Sequence, residues 1–499
     1  MITSILPVFG KNVKLHFAQK YIVFCDFIRY NRRIDVPDKM KFRGRFESRS
    51  IGVLRLDNQS KKTVAICNMG CKVNSYEAEG MTELLEKAGY QIVGFHERAD
   101  VYVINTCTVT QIAARKSRQM IHRARKMNEQ ALIIAAGCYV DRDHSLIEEG
   151  VIDLAIPNRQ KGHIVSYIEA YQKGDEYRPE QEEAKLWISR FEGRSRAFLK
   201  VQDGCRQFCT YCIIPYVRGP LTSRPIEECC AEAEGLAAKG YSEIVLTGIH
   251  LSSYGKKEGY QLADLIVAIA QIPQVKRIRL GSLEPGVITA DFLRQVQPID
   301  KLCPHFHLSL QSGADTTLKA MGRRYSAQEY RQAVQLLREA YPQAAVTTDV
   351  IVGFPGETQQ DHEASLRFVQ EIGFAQVHVF RYSQMEGTVA AKRSDQVDAV
   401  IKKKRSEEML AVTEQSTRAF MQAMQGTRAE VLLEEQDPVS GYWLGYTPNY
   451  MKVAIEGCGP ETGVGRLVDV TIDGWVTLED GKQGASSKQM ILKGVDEHE

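Results

Sequence analysis

Short apolar runs and amphipathic stretches alternate along the chain from residue 62 onward. Residues 75–88 and 108–126 repeat their apolar positions with the spacing of one helix face. Between and around them lie apolar runs with the length and composition of buried strands, at residues 63–69, 101–106, 132–136 and 152–156. Strands that alternate with helices in this way predict a parallel sheet covered by helices.

A second alternation of the same kind occupies residues 197–382. It contains six apolar runs, and β/α units in this number predict a full or partial barrel. In such barrels the functional side chains lie at the carboxyl ends of the strands. The six runs are residues 197–201, 243–247, 276–281, 305–310, 345–352 and 376–382, with helices predicted at 226–239, 326–340 and 359–372.

The two ends of the chain depart from this α/β pattern. Residues 1–60 show no sustained period, and we interpret them as a poorly ordered basic extension or, alternatively, as an arm that contacts RNA. After a long predicted helix at 399–424, short β-rich runs separated by Gly and Pro predict a small β-barrel. The predicted divisions are an extension at 1–61, an N-terminal α/β domain at 62–171, a linker at 172–193, a central barrel domain at 194–425 and the β-barrel at 426–499.

Composition narrows the class of protein. The 499 residues are 43% hydrophobic, which is enough for large cores, and the net charge of +2 does not by itself indicate a nucleic-acid binder. Twelve cysteines, six of them in two groups, favour metal binding in a reducing compartment over secreted disulfides. The sequence has no apolar run of about 18 residues and no signal-peptide pattern, so we expect a cytoplasmic protein without a membrane partner.

Three cysteines stand close together just after the first strand of the central series. Cys205, Cys209 and Cys212 can each ligate one iron of a 4Fe–4S cluster, which leaves the fourth iron without a protein ligand. An open metal position is where a substrate binds, and here S-adenosylmethionine (SAM) would chelate that iron through its amino and carboxylate groups. Reductive cleavage of SAM would then release a 5′-deoxyadenosyl radical. A zinc knuckle or three structural cysteines are the alternatives, although no fourth Cys or His with zinc spacing is near.

Three further cysteines each follow a predicted strand of the N-terminal sheet. Cys71, Cys107 and Cys138 come directly after runs that end at residues 70, 106 and 137. The carboxyl ends of parallel strands meet at one edge of a sheet. The three thiolates could therefore converge there and hold a second cluster. Three buried cysteines at strand ends are the alternative interpretation of these positions.

In combination, these motifs resemble the methylthiotransferases, a family of radical SAM enzymes. The resemblance covers roughly residues 62–499 and rests on GCKVNSYE at 70–77, NTCTVT at 105–110, AGCY at 136–139 and CRQFCTYCIIPYVRG at 205–219. Three segments look most like the branch that acts on threonylcarbamoyladenosine, next to the anticodon of tRNA: residues 70–77, RLGSLEP at 279–285 and HFHLSLQSG at 305–313. The chain departs from the family pattern at Asn68 and Met69, where the family has Thr-Leu, and it has an additional Cys67.

The resemblance implies a fold, an activity and two kinds of cofactor. The fold would be an N-terminal cluster domain, a central radical SAM domain and a C-terminal β-barrel called TRAM. The cofactors would be two 4Fe–4S clusters and SAM, with the N-terminal cluster holding or supplying the sulfur. The product would carry a methylthio group at C2 of the adenine, where the C–H bond has no acidic proton and the cofactor must supply the difficult chemistry. The tRNA and an external electron donor would be the partners, without DNA.

Further candidate residues lie at the ends of the predicted barrel strands. Thr247 and Gly248 could present backbone groups to the methionine part of SAM, since glycine permits close approach. Ser282 and Glu284 could bind its ribose and amine, and a role in turns or caps is the alternative for each residue. The predicted SAM contacts are Tyr211, Thr247, Gly248, Ser282, Glu284, Gln311, Val350, Ile351 and Gly353, with Ile249 and Ser312 beside them and Arg381 and Tyr382 as predicted substrate contacts.

Two regions bear on RNA binding. Residues 115–126 form a strongly basic predicted helix that could neutralise phosphates or be a solvated face. Residues 427–499 hold 6 Lys and Arg against 13 Asp and Glu, which is a poor electrostatic match for phosphates. Aromatic residues there could stack on exposed bases or form the barrel core, namely Tyr442, Trp443, Tyr446 and Tyr450.

Two other functions are alternatives to tRNA methylthiolation. One is the branch of the same family that methylthiolates an aspartate of a ribosomal protein. The other is a non-catalytic iron–sulfur protein that transfers electrons or binds RNA. Electron transfer requires no open iron, and the SAM-type loops therefore favour an enzyme.

Overall fold

The computed structural model describes residues 61–143, 145–175, 177, 179, 185–191, 193–456, 463–479 and 488–496. Apart from Lys61, the predicted basic extension at 1–61 lies outside the described residues, as does part of the predicted linker at 172–193. The chain divides into two compact units. The first contains the chain up to Met69, residues 81–106 and residues 115–186, and the second contains residues 70–80, 107–114 and 187–499.

A five-stranded parallel sheet forms the first unit. Its strands are β1 (Thr63–Asn68), β2 (Gln91–Val93), β3 (Val101–Thr106), β4 (Leu132–Gly137) and β5 (Leu154–Ile156). The order is β2-β1-β3-β4-β5, and the central β3 and β4 are buried along their whole length. Burial on both faces explains why these two strands are continuous apolar runs. The parallel α/β prediction is confirmed, while β2 is an edge strand that the apolar pattern did not predict.

Four helices follow the strands of this sheet. They are α1 (Lys72–Lys87), α2 (Gln111–Met127), α3 (Ser145–Glu148) and α4 (Ile164–Lys173). The amide of Ser75 donates to the carbonyl of Cys71 at 3.0 Å, so α1 begins directly after Cys71 and before the predicted start at residue 75. At the other end of this region, Gly174 has a φ of 78° and terminates α4, a conformation that glycine adopts without strain.

Among the described residues of the second unit, six parallel strands form the predicted partial barrel. The strands of this region are β6 (Arg196–Asp203), β7 (Thr222–Ser223), β8 (Glu243–Gly248), β9 (Arg277–Leu280), β10 (His305–His307), β11 (Ala345–Val352) and β12 (Gln376–Arg381). They form two sheets, β7-β6-β8-β9 and β10-β11-β12, in which the short β7 runs antiparallel to β6. A parallel bridge between Leu283 and Leu308 links the two sheets.

Helices connect the barrel strands, as the amphipathic stretches predicted. They are α5 (Ile214–Val217), α6 (Ile226–Ala238), α7 (Leu262–Ala270), α8 (Ala290–Val296), α9 (Asp315–Met321), α10 (Ala327–Ala340), α11 (Gln359–Ile372) and α12 (Ala399–Ala423). Reciprocal side-chain caps begin α10, with Ser326 and Glu329, and α11, with Thr358 and Asp361. These pairs satisfy amide groups that a helix start leaves without an internal partner.

The C-terminal residues form a closed β-barrel. Its strands are β13 (Arg428–Gln436), β14 (Trp443–Tyr446), β15 (Lys452–Glu456), β16 (Leu467–Glu479) and β17 (Lys488–Asp496). Their order is β13-β14-β15-β17-β16, and Met421 of α12 joins Val431, Val453 and Leu492 in the core. The prediction of a small β-barrel is confirmed. Among the helices of the described residues, none is long and apolar enough to cross a membrane.

Candidate active site

The three-cysteine segment forms a tight loop directly after β6. Gly204 opens this loop with a φ of 72°, and a Cβ at this position would lie 2.0 Å from the carbonyl oxygen of Pro220. Within the loop, the amide of Cys212 donates to the carbonyl of Cys209 at 2.9 Å. The loop is fixed to the end of α9, because the amide of Thr210 donates to the carbonyl of Met321 at 2.9 Å.

The thiols of this loop lie in a buried environment. Burial raises the pKa of Cys212 to about 12, and burial also raises the pKa of Cys205. Neighbouring thiols add to both shifts, so the three sulfur atoms lie within electrostatic reach of one another. Three thiolates this close need compensating positive charge, which the iron of a cluster would supply. The residues therefore fit an iron–sulfur cluster.

Glu284 is the centre of a polar network beside this loop. Its carboxylate accepts from Gln207 Nε2 at 2.9 Å and lies 3.1 Å from His250 Nε2 and 3.0 Å from Arg323 Nη2. Burial raises the pKa of Glu284, but the hydrogen bond with His250 and the charge of Arg323 outweigh that effect and leave the pKa lowered. Arg323 also reaches Cys209, with Nη1 3.3 Å from Sγ. An ionised carboxylate is thus held next to the cysteine loop.

A cavity of about 1000 Å³ opens in front of the cysteine loop, within the second unit. This volume lies at the upper end of the range for small-molecule sites. The three loop cysteines line one part of its wall, and Cys71 with Lys72 lines another. The C-terminal barrel contributes Tyr446, Tyr450 and Lys452. The cavity is therefore enclosed by residues that are far apart in the sequence.

Several of the predicted SAM contacts line this cavity. They are Tyr211, Thr247, Gly248, Ile249, Ser282 and Glu284. Gly248 is the last residue of β8, and a Cβ there would lie 2.8 Å from Oε1 of Gln202. These residues come from the loop after β6, the end of β8 and the segment after β9, as the barrel rule predicts.

Other predicted SAM contacts do not belong to the described lining of the cavity. Gln311 has a φ of 67° and forms a parallel bridge with Val350 through its backbone. The amide of Ile351 donates to the carbonyl of Gln311 at 2.9 Å. Gly353 donates its amide to Glu357 Oε2 at 2.7 Å, and a Cβ at Gly353 would lie 2.3 Å from Cγ of Lys402. These four residues shape the strand ends in the structure, and their contact with SAM stays a prediction.

The N-terminal cysteines occupy both units. Gly70 passes so close to Cys107 that a Cβ on Gly70 would lie 3.1 Å from Cys107 Sγ, and Gly70 is the immediate neighbour of the exposed Cys71. Cys138 is buried in the first unit, where Asn158 Nδ2 donates to its Sγ at 3.5 Å. The additional Cys67 is half-buried, and burial raises its pKa to about 11.

A buried charge network joins the start of α1 to the cysteine loop. Arg218 Nη1 lies 2.7 Å from Glu77 Oε1 and 3.2 Å from Asp203 Oδ2. Lys200 Nζ lies 2.8 Å from the same Glu77 and 2.6 Å from Asp203. Two buried carboxylates thus share two cations, as buried charges require. The network fixes the segment that carries Cys71 against the end of β6, the strand that precedes Cys205.

The aromatic residues of the C-terminal barrel pack into the cavity wall. The ring of Tyr450 stacks between His305 and Tyr446, with centroid distances of 4.7 and 4.8 Å. Arg279 lies over the same ring at 4.7 Å, and Arg196 lies over Tyr446 at 5.0 Å. Tyr446 and Tyr450 therefore form neither the core of the barrel nor a free platform for bases. Tyr442 and Trp443 are only partly buried and pack against the barrel interior.

Three further groups of residues complete the description of this region. The basic residues of α2 are exposed at Arg115, Lys116, Arg118, Arg123 and Lys126, so this helix presents a positive face to solvent. Of the predicted substrate contacts, Arg381 is exposed, and Tyr382 is buried in a small apolar cluster.

His307, Asp349 and His378 have candidate ligand atoms within 4.8 Å of one another and could hold a metal ion.

Sequence reasoning missed Gln207, Arg218, His250 and Arg323. Gln207 and Arg218 lie inside the quoted motif at 205–219, where a buried partner could have been expected for the arginine. His250 and Arg323 carry no local signal, because each acts through residues distant in the sequence. Arg323 and Cys209 are separated by 114 positions.

Comparison with known proteins adds relatives over most of the chain. Residues 63–156 match the model of an uncharacterized protein family, UPF0004, and residues 199–369 match the radical SAM superfamily. A threonylcarbamoyladenosine tRNA methylthiotransferase of Bacillus subtilis is 38% identical over 425 residues, which cover 82% of this chain and 93% of that protein. One of Aquifex aeolicus is 35% identical and covers 82% of this chain and 100% of its own length.

A relative with another substrate name is similar at almost the same level. The tRNA-2-methylthio-N(6)-dimethylallyladenosine synthase of Zymomonas mobilis is 34% identical, over 84% of this chain and 95% of that protein. The relatives thus share the methylthio reaction in their names and differ in the group on N6. With more than 30% identity over four-fifths of its length, and with the cysteine loop in place at the end of β6, the chain belongs to the tRNA methylthiotransferase family of radical SAM proteins.

Proposed function

We propose that this protein transfers a methylthio group to C2 of threonylcarbamoyladenosine in tRNA. The observation that carries this proposal is the single cavity lined by Cys205, Cys209 and Cys212 together with Cys71. The first three have the spacing of a cluster that binds SAM, and Cys71 belongs to the motif of the proposed sulfur-supplying cluster. Radical formation and sulfur supply would therefore act on one substrate in one cavity.

The choice of threonylcarbamoyladenosine is supported by the relatives that carry this substrate in their names. Two of them are 38% and 35% identical to the chain. The motifs at 279–285 and 305–313 support the same branch. We therefore favour a tRNA nucleoside over the aspartate of a ribosomal protein and over a non-catalytic iron–sulfur protein.

The family supports an iron–sulfur cluster and SAM, and we assign both to the cysteine loop. A 4Fe–4S cluster held by Cys205, Cys209 and Cys212 would supply the electron that cleaves bound SAM. Glu284, already ionised and oriented by Arg323, would accept hydrogen bonds from SAM. Thr247, Gly248, Ser282 and Tyr211 would enclose the cofactor from the neighbouring strand ends, and Gln311, Val350, Ile351 and Gly353 would hold the shape of those ends.

A second 4Fe–4S cluster is proposed at Cys71, Cys107 and Cys138. Its support is the three motifs at strand ends and the close passage of Gly70 against Cys107. The exposed basic face of α2 would contact the phosphates of the tRNA. An external electron donor and a cytoplasmic location complete the proposal, with the domain divisions as predicted from the sequence.

The experiment that tests the function is expression in cells that lack threonylcarbamoyladenosine methylthiolation, followed by mass spectrometry of the tRNA nucleosides. The intact chain should produce a nucleoside with an added methylthio group, and Cys209→Ala should not. Cys230→Ala is the matched control, since this half-buried helical cysteine lies outside both proposed cluster sites. Unmodified tRNA from cells in which the intact chain carries iron and sulfide would refute the substrate and favour the ribosomal-protein alternative.

A further inference from the structure

Lys72 is the first residue of α1 and lines the proposed reaction cavity. Its side chain is half-buried. Over the whole described part of the chain, no hydrogen bond or ion pair reaches its ammonium group. A cation withdrawn from water in this way is unfavourable unless an anion joins it. The position therefore calls for a negatively charged ligand.

The other lysine and arginine side chains of the cavity lining already have carboxylate partners. Arg323 lies 3.0 Å from Glu284, and Lys452 lies 3.6 Å from Glu435. The remaining carboxylate of the lining, Asp349, lies 3.3 Å from His307. Among the lysine and arginine residues of the described lining, Lys72 is thus the one that is available to pair with a ligand.

Glu243 is a buried carboxylate close enough to interact electrostatically with Lys72, but it already forms ion pairs with arginines. Arg279 binds it in bidentate fashion, with Nε 2.6 Å from Oε1 and Nη2 2.9 Å from Oε2. Arg196 and Arg277 approach the same carboxylate at 3.8 Å. Arg196 and Arg277 also pair with Glu434 and Glu430, at 2.7 and 2.9 Å. Glu243 is therefore held by arginines and forms no ion pair with Lys72.

We infer that Lys72 binds the carboxylate of the threonylcarbamoyl group and so selects this substrate. The inference rests on the proposed function. The N6 substituent of threonylcarbamoyladenosine ends in an amino-acid carboxylate, which is ionised at neutral pH. N6 and C2 both lie toward the Watson–Crick edge of the purine, so a side chain that holds the substituent also orients the carbon that reacts.

The same contact explains how a related substrate would be refused. A dimethylallyl group on N6 is apolar and would leave the ammonium of Lys72 in the filled cavity without a partner. Sites that contain a buried polar group reject analogues that fail to satisfy it far more strongly than apolar pockets reject a missing methylene. Lys72 is therefore a specificity-determining residue and not a participant in the radical chemistry.

The test compares two anticodon stem-loop RNAs that differ in one group. One carries threonylcarbamoyladenosine and the other carries its methyl ester, which removes the negative charge and adds a methyl group. With the reconstituted full-length protein, kcat/KM for the acid should exceed that for the ester by about 10- to 100-fold, as for loss of a charged hydrogen bond. Lys72→Met should reduce this ratio to near one. Lys452→Met, a lysine of the same cavity that has its own partner, should keep the wild-type ratio.

Each other outcome overturns the inference in a distinguishable way. Equal rates of the intact protein on acid and ester would show that the carboxylate is not recognised, without any variant being needed. A wild-type ratio with unchanged rates in Lys72→Met would place the carboxylate elsewhere. A wild-type ratio with both rates lowered by the same factor would make Lys72 a phosphate contact or a structural residue. If the intact protein forms 5′-deoxyadenosine but modifies neither RNA, the proposed function itself fails and this inference with it.

Discussion

Arg218 and Glu77 form an ion pair in which both side chains are fully buried, with Nη1 2.7 Å from Oε1. The two residues are 141 positions apart in the sequence. Glu77 lies in the helix that begins beside Cys71, and Arg218 lies just beyond the loop of Cys205. Buried pairs of this kind are strongly destabilising to break, because the remaining charge is left without compensation.

Arg218→Met should therefore lower the free energy of unfolding by about 3 kcal/mol, because Glu77 and Asp203 would lose one of the two cations that they share. Chemical denaturation followed by fluorescence measures this effect. Arg418→Met is the matched control, since Arg418 pairs with Glu414 on the exposed face of α12 and should cost about 0.5 kcal/mol or less. Equal losses in the two variants would contradict a special role for the buried pair.

The two groups of cysteines should separate two partial reactions. Cys209→Ala should abolish the formation of 5′-deoxyadenosine from SAM under reducing conditions, because its cluster would lose a ligand. Cys107→Ala should retain that reaction and lose methylthiolation of tRNA. Chromatography of SAM products, together with nucleoside mass spectrometry, measures both. Continued methylthiolation by Cys107→Ala would remove this residue from the proposed ligands.

Glu284→Gln should weaken SAM binding by roughly tenfold, because the amide cannot offer the charge that pairs with Arg323. Titration calorimetry on the reconstituted protein measures the affinity, with the exposed Glu258→Gln as control. Since the pKa of Glu284 is lowered, the carboxylate should stay ionised as the pH falls from 7 to 5. A wild-type affinity that collapses over this range would contradict the ionised state.

Gly204→Ala should prevent proper formation of the cysteine loop. The new Cβ would lie 2.0 Å from the backbone of Pro220, and the residue has a φ of 72° that alanine adopts with strain. We expect a large loss of iron from the reconstituted protein, measured by elemental analysis. Gly259→Ala shares the positive φ, here 88°, but has open space around the Cβ and should retain its iron.

His305 should make the stability of the protein depend on pH. Burial lowers the pKa of His305 well below its usual 6.5, and the charges of Arg279 and Lys72 add to this effect. The folded state therefore keeps the ring neutral, and its contribution to stability is present above pH 6.5 and is lost as the pH falls. Between pH 7.5 and 5 the free energy of unfolding should fall by about 2 kcal/mol more than in His305→Gln. Parallel pH profiles would refute this assignment.

The sequence predicted the sheets best where strands are buried on both faces. β3 and β4 are continuous apolar runs because neither face meets water, so their ends were predicted to within about one residue. The three-residue β2 and β10 carry too little pattern, and β10 ends at His307, before the predicted end at residue 310. Length and burial thus decide how much of a strand can be inferred from its own residues.

Only part of the candidate site could be predicted from the sequence. Motif spacing identified the cysteines, and strand ends identified Thr247, Ser282 and Glu284, which line the cavity. Gln311 and Val350 also stand at strand ends, yet they bridge one another through the backbone. Arg323 escaped notice because its partners Cys209 and Glu284 are brought to it by the barrel and not by any local pattern.

The packing of Tyr450 limits which C-terminal barrels could be combined with the rest of this chain. Its backbone φ of 67° and its position between His305 and Tyr446 fix one side of the cavity to the C-terminal barrel. The C-terminal barrel is therefore a structural part of the cavity wall, and another barrel could not replace it without changing that wall. Exchange of barrels between relatives with different substrates would exchange part of the wall of the proposed reaction cavity, so we expect the barrel and the central domain to diverge together.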